Sequence, residues 1–207
     1  MNIDKLHYIS QETDTLSHIQ VIQQACEAGC RWIQLRMKEK SETEMQQIAS
    51  QAKAICQKYS AKLIINDHVH LAKEVAAGGV HLGQTDMPPS EARLILGPDF
   101  IIGGTANTFT DIVWLIESEI NYVGLGPFRF TSTKKNLSPV LGLEAYREII
   151  LKCRQSKIYT PIIAIGGILL EDVDELKQTG IHGIAVSGLI THSQNRKELV
   201  EKLYQIL

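Results

Sequence analysis

This chain of 207 residues has no CxxC pair and no cysteine spacing suited to a metal. Its four cysteines, Cys26, Cys30, Cys56 and Cys153, read as reduced core residues of a cytoplasmic protein rather than disulfides or ligands. There is no block of Lys or Arg, and 21 basic against 23 acidic residues leave a formal charge of −2. Neither a nucleic-acid face nor an anionic membrane surface is expected from that balance. No apolar run approaches the roughly 20 residues that cross a bilayer, and the opening Met1-Asn2-Ile3-Asp4-Lys5 lacks an apolar signal segment. No linker, low-complexity tract or repeat divides the chain. No Ser/His/Asp or Cys/His set stands out, and His68, His70 and His81 lack the third ligand that would make a zinc site. They are taken as structural or supporting groups. What remains is a sequence 44% hydrophobic and 21% charged, which suits one folded domain over residues 1–207.

The apolar residues come in short runs, each followed by a helical pattern. The runs are Leu6–Ser10, Trp32–Arg36, Leu63–Asp67, Gly79–Gly83, Ile101–Thr105, Tyr122–Gly126, Ile162–Gly166 and Ile184–Ser187. Most are continuously apolar rather than alternating, as in strands of a parallel sheet covered on both faces. Ser41-x-x-Glu44 is a capping box for a helix reaching about Tyr59. Pro88-Pro89 leads into a helix ended by Gly97-Pro98, and Thr108 or Thr110 caps the next. Gly29, Gly78 and Gly180 are expected to close helices in the left-handed conformation. Strand–helix units in this number predict an α/β fold, a single-domain (β/α)₈ TIM barrel; an open doubly wound sheet has fewer strands.

In a barrel, chemistry sits at the C-terminal strand ends. Asp67 and Asp86 follow two consecutive predicted strands, and parallel neighbours would bring both carboxylates to one rim. A hard cation such as Mg²⁺ takes one or two carboxylates and fills its remaining positions with water and phosphate oxygens. Each acid taken alone is better accounted for as a helix N-cap; it is the pair that points to a cation. Gln34, Arg36 and Lys38 alternate along one side of an extended segment, suited to a phosphate or simply to a charged surface. Gly103-Gly104 permits either a close ligand or tight packing. The connection from Pro127 to about Leu143 is far longer than the roughly 2–6 residues usual between strand and helix. Its Thr131, Thr133 and Lys134 suit a phosphate lid. Gly167 and Ser187 stand where barrels often cradle a phosphate with backbone N–H groups. A phosphate cradle facing a cationic and acidic set implies two phosphorylated substrates, one with a diphosphate leaving group, and hence a transferase.

These segments closely resemble the thiamine-phosphate synthase (thiamine-phosphate pyrophosphorylase) family. The matching stretches are Gln34-Leu35-Arg36-x-Lys38, Ile65-Asn66-Asp67, Gly79-Val80-His81-Leu82-Gly83-Gln84-x-Asp86, Gly124-Leu125-Gly126-Pro127, Thr131-x-Thr133-Lys134 and Ile165-Gly166-Gly167-Ile168. The resemblance implies a (β/α)₈ fold and condensation of 4-amino-5-hydroxymethyl-2-methylpyrimidine diphosphate with hydroxyethylthiazole phosphate or its carboxylate. Products would be thiamine phosphate and pyrophosphate, formed through a pyrimidine-methyl cation. It further implies that Asp67 and Asp86 bind Mg²⁺. Arg36, Lys38, Asn66, Thr105 and Lys134 would hold the diphosphate, with Gln34 beside the pyrimidine or supporting Arg36 and Lys38. Thr131, Thr133, Gly167, Val186 and Ser187 would bind the thiazole phosphate. The expected partners are these small molecules, with no nucleic acid and no membrane; a homo-oligomer stays open.

The chain departs from the family pattern in three places. Thr105 replaces the usual Ser, Ala164 replaces a common Gly, and Arg129-Phe130 replaces an apolar-Pro pair, which should loosen the lid and add a cation near the rim. One rival is a thiazole tautomerase-like barrel, which resembles this chain at the cradle but uses a His about where Asn107 stands. The other is a non-catalytic phosphate-binding barrel, which would not need the acids, the lid and the Arg36/Lys38 pair together.

Overall fold

Eight parallel strands close on one another in sequence order, as the apolar runs predict. The computed structural model describes residues 2–37, 40–131 and 138–207. The strands are β1 (Leu6–Ile9), β2 (Trp32–Leu35), β3 (Lys62–Asn66), β4 (Gly79–Leu82), β5 (Ile101–Ala106), β6 (Tyr122–Leu125), β7 (Ile162–Ile165) and β8 (Gly183–Val186). Pairing of Leu6 with Ile184 and Tyr8 with Val186 shuts the barrel. Helices α1 (His18–Glu27), α2 (Glu42–Lys58), α3 (Val69–Glu74), α4 (Pro89–Leu96), α5 (Phe109–Glu117), α6 (Gly142–Gln155) and α7 (Val173–Thr179) follow the first seven strands; α8 (Gly188–Thr191) and α9 (Arg196–Ile206) follow the last. Among the described residues no helix is long and apolar enough to cross a membrane.

The helix signals in the sequence act largely as expected. Ser41 and Glu44 form the capping box of α2, Thr108 and Asp111 that of α5, and Gly97 ends α4. Gly29 and Gly180 are left-handed, but Gly78 is not. Ala76 takes the left-handed turn after α3, with φ 49°. Gly78 is needed for room instead: a Cβ there would lie 2.5 Å from Lys62 Cγ.

Period-two alternation divides each strand between two cores. One side meets the helices. The other fills the barrel with Ile9, Trp32, Ile64, Ile101, Tyr122, Ile163 and Ala185. His7 stacks on Trp32 at 4.3 Å, and Tyr122 meets both rings edge-on. Burial drives His7 down to about 3, so it is neutral among these rings. Above this plug lies a cavity of only about 10 Å³, lined by Gln34, His81, Gly124 and Ile165 among others. Gly103-Gly104 serves packing: a Cβ on Gly103 would sit 2.1 Å from the Tyr122 ring, and one on Gly104 2.4 Å from Leu115. Gly103→Ala should therefore lower stability by about 1–3 kcal/mol through overpacking, or roughly 2–12 °C in Tm for a chain of this length. A thermal melt that matches the parent would show that the plug can move aside. All four cysteines are free and buried.

Candidate active site

At the C-terminal rim, the Asp67 N–H donates to His81 O at 2.9 Å. The chain then turns left-handed at Asp67, φ 64°, a conformation that Asp tolerates better than most residues. This turn sets the Asp67 carboxyl near Asp86, close enough for the charge of one to act on the other. Asp86 Oδ2 accepts the Gly83 N–H at 2.6 Å. A Cβ on Gly83 would lie 2.8 Å from that oxygen, so a larger residue here would push the Asp86 carboxylate aside. Neither acid caps a helix. The cap positions belong to His68, whose side chain makes no cap bond, and to Pro88. Burial, then the neighbouring Asp86 carboxyl and its charge, push Asp67 up to about 7; Arg36 and Asn66 pull the other way. Two carboxylates pressed together in this way are stable when a proton or a cation lies between them.

Arg36 stands just beyond β2, half-buried, with its charge directed at Asp67. Its backbone N–H donates to Ser10 Oγ at 3.2 Å, and that hydroxyl is 2.9 Å from His18 Nδ1. Glu12 lies 3.9 Å from His18 Nε2 and 3.1 Å from Lys40. The order Ser–His–Glu has the makings of a hydrolytic triad, but Ser10 is buried and already occupied at Arg36. The string is a brace between β1, α1 and the end of β2. Gln34 points into the barrel, and Asn66, also buried, shares the inward side of β3 with Ile64.

A second polar string crosses the barrel. His81 Nδ1 lies 3.0 Å from Tyr122 Oη, and Nε2 lies 3.0 Å from Thr105 Oγ1. Tyr122 is fully buried and its hydroxyl hydrogen needs an acceptor, which His81 Nδ1 supplies. The Nε2–H then donates to Thr105, leaving the Thr105 hydroxyl hydrogen for the rim. His81 thus supports Thr105, whereas His68 and His70 are exposed.

Across the rim, the root of the long connection runs alongside the end of β7. Phe128 N–H donates to Ile165 O at 2.8 Å and Arg129 N–H to Gly166 O at 2.9 Å. Leu141 and Gly142 N–H groups donate back to Pro127 O and Phe128 O, closing the neck of the loop. Asn107 clasps the same neck, donating to Gly126 O and Pro139 O at 2.9 Å each. Arg129, the added cation, is ion-paired rather than open to a ligand, and the lid, which the lost Pro was expected to loosen, lies largely outside the described residues. Arg129 Nη1 and Nη2 each reach Asp172 at 2.8 Å, and Nη1 also reaches Gly167 O at 3.0 Å. Gly167 is left-handed with φ 66°, and a Cβ there would lie 2.9–3.0 Å from the Arg129–Phe130 backbone. Val186 ends β8; Ser187 begins the turn into α8, its Oγ donating to Gln11 Oε1 at 3.3 Å. Thr131 is half-buried beyond the root. Lys38, Thr133 and Lys134 lie outside the described residues.

The rim therefore gathers Gln34, Arg36, Asn66, Asp67, Asp86 and Thr105 on β2–β5, and Thr131, Gly167, Val186 and Ser187 around β6–β8. The sequence reading missed the Ser10–His18 brace and the Tyr122–His81–Thr105 string. Strand parity would have placed His81 and Thr105 inward. Among the described residues no group of three or more His, Cys, Asp or Glu could hold a metal. Two oxygen donors suit an ion that keeps water and takes substrate phosphate oxygens, and do not suit a zinc cage.

Comparison with known proteins agrees with this geometry. A family model described as thiamine monophosphate synthase matches residues 6–190. A protein from Flavobacterium johnsoniae named thiamine-phosphate synthase is 51% identical over 204 residues, covering 99% of this chain and 96% of its own. One of the same name from Phocaeicola vulgatus is 52% identical over 191 residues, covering 92% of each. The solved structure of thiamine phosphate pyrophosphorylase from Pyrococcus furiosus superposes with a TM-score of 0.84 at 29% identity, covering 98% of this chain and 94% of that one.

Proposed function

The chain belongs to the thiamine monophosphate synthase family, and from that membership we propose that it joins 4-amino-5-hydroxymethyl-2-methylpyrimidine diphosphate to hydroxyethylthiazole phosphate, giving thiamine phosphate and pyrophosphate, or to its carboxylate, giving the same products and CO₂. The observation that carries the reading is the proximity of Asp67, at its left-handed turn, and Asp86, held by the Gly83 N–H, at one rim beside Arg36. Together they make a seat for a cation-bound diphosphate, across the rim from the backbone amides at Gly167.

Asp67 and Asp86 would hold Mg²⁺, which when bound neutralises charge on the diphosphate. Arg36 adds a fixed positive charge whose partial burial strengthens its pull on the leaving group. Thr105, held by His81, offers its hydroxyl hydrogen to a diphosphate oxygen, and Asn66 its amide. Lys38 and Lys134 join this set as cations. Gln34 lies under the pyrimidine. The methylene C–O bond breaks with its electron pair leaving on the diphosphate. The thiazole nitrogen lone pair then forms the new C–N bond. No proton changes hands, so no general base is required, and Ser10 and His18 remain a brace. Thr131, Thr133, Gly167, Val186 and Ser187 fix the thiazole phosphate so that its ring nitrogen meets the cation. Catalysis is by charge neutralisation and positioning.

Asn107 is spent on two carbonyls at the loop neck, where the tautomerase reading would need a proton-transfer group. We further place the protein in the cytoplasm, a setting in keeping with four free buried thiols. Incubation with both substrates and MgCl₂ should yield thiamine phosphate and pyrophosphate in equal amounts, and EDTA should stop it. No product under those conditions sinks the proposal.

A further inference from the structure

We propose that Arg129 is a positioning residue for the thiazole-phosphate cradle, fixing two successive peptide planes so that the Gly167 and Ile168 N–H groups face an incoming phosphate. This rests on the functional reading above and extends it to a residue whose side chain need not touch substrate.

A trans peptide is planar, with its C=O and N–H pointing in opposite directions. Arg129 holds two consecutive carbonyls from one side. Its backbone N–H takes Gly166 O at 2.9 Å, and its Nη1 takes Gly167 O at 3.0 Å. The N–H groups in those two planes belong to Gly167 and Ile168, so both point away from Arg129. Among the described residues neither N–H finds an acceptor. Successive outward N–H groups around a left-handed residue make a concave anion seat, and Gly167 is that residue, with φ 66°.

The guanidinium is itself held in place. Asp172 grips it through two bonds of 2.8 Å, and the acid is nearly buried, with its side chain 11% exposed. Asp172 Oδ2 also accepts the Leu169 N–H at 2.8 Å, closing the turn on its far side. The cradle segment 166–169 is thus clamped between the lid root and the start of the β7–α7 helical turn. A bidentate fork aligned in this way has a defined direction, which a lysine cannot reproduce. The same arginine lies two residues before Thr131, so the start of the β6–α6 connection and the cradle share one anchor.

The test is calorimetric binding of hydroxyethylthiazole phosphate, and of unphosphorylated hydroxyethylthiazole, to the parent protein, Arg129→Met and Arg129→Lys, with Tm and steady-state kinetics alongside. Arg129→Met should weaken binding of the phosphate ester roughly tenfold, the equivalent of about one well-placed hydrogen-bonded contact. Binding of the unphosphorylated alcohol and KM for the pyrimidine diphosphate should stay within about twofold. Arg129→Lys should recover only part of the loss, and it carries the test if the Met variant does not fold. Phosphate-ester affinity within twofold of the parent in Arg129→Met, with or without a lower Tm, overturns the proposal, as does full recovery in Arg129→Lys. A parent protein that binds the phosphate ester but makes no thiamine phosphate removes the transferase reading and leaves this one standing. A parent that fails to bind the ester removes this one.

Discussion

Asp67→Ala and Asp86→Ala should each lose about 10²–10³ in kcat while melting within a few degrees of the parent. A bound cation contributes several kcal/mol of charge stabilisation in reactions of this type, and each 1.36 kcal/mol is a factor of ten in rate. Each substitution removes one of the two donors the seat has. The structural loss is small, because neither carboxylate caps a helix and Asp86→Ala gives up a single hydrogen bond, from the Gly83 N–H. Asp67→Asn adds a sharper reading. The Asp67 carboxyl is raised from 3.8 to about 7 by burial and by Asp86. A folded-state pKa above the unfolded value means that the folded protein binds the proton more tightly. Its stabilising contribution is therefore complete below about pH 4 and is lost as the pH rises through about 7. In EDTA, then, the Tm of Asp67→Asn should gain on the parent between pH 4 and pH 7 and hold level above. Active but unstable alanine variants, or a Tm difference that does not change with pH, would count against a shared cation seat.

Arg36→Met should lower kcat/KM for the pyrimidine diphosphate by about 10²–10³, the effect of losing a preorganised donor aimed at developing charge. Charge grows on the diphosphate as its C–O bond breaks, so kcat should fall more than KM rises. Arg36→Lys should restore only part of the rate, since an ammonium keeps the charge but lacks the planar fork. Binding of the thiazole phosphate, measured by calorimetry, should not change, because Arg36 lies on the acidic side of the rim. Equal losses for both substrates would point to general damage to the β2 end, where Ser10 and His18 brace the Arg36 backbone.

The strands were legible because each is buried on both faces, which leaves continuous apolar runs such as Leu63–Ile65. The acid pair was legible because consecutive parallel strands put their ends on one rim. Whether those acids cap helices could not be read locally. That neither does so depends on the left-handed turn at Asp67 and on the Gly83 amide that holds Asp86. Gly78 was misassigned because a glycine before a strand suggests a left-handed cap, whereas α3 ends at Glu74 and Ala76 makes the turn. Arg129 read only as an added cation because its partner lies 43 residues away on another connection, and no pattern around Phe128–Phe130 announces Asp172. Side-chain strings such as Tyr122–His81–Thr105 likewise join three strands and emerge only when the barrel closes.

The neck of the β6–α6 connection has a consequence for how such a chain can change. Pro127 and Phe128 are bonded to Leu141 and Gly142 through the backbone, and Asn107 holds Pro139 beside them. The two ends of the excursion are thus tied to each other and to the barrel before residue 130 and after residue 138. The entropy of closing such a loop grows only with the logarithm of its length, about 0.6 kcal/mol per doubling. Residues can therefore be added, removed or exchanged between those ends without disturbing strand register. In effect the connection is an exchangeable cassette, open to change in length and sequence while the barrel stays as it is.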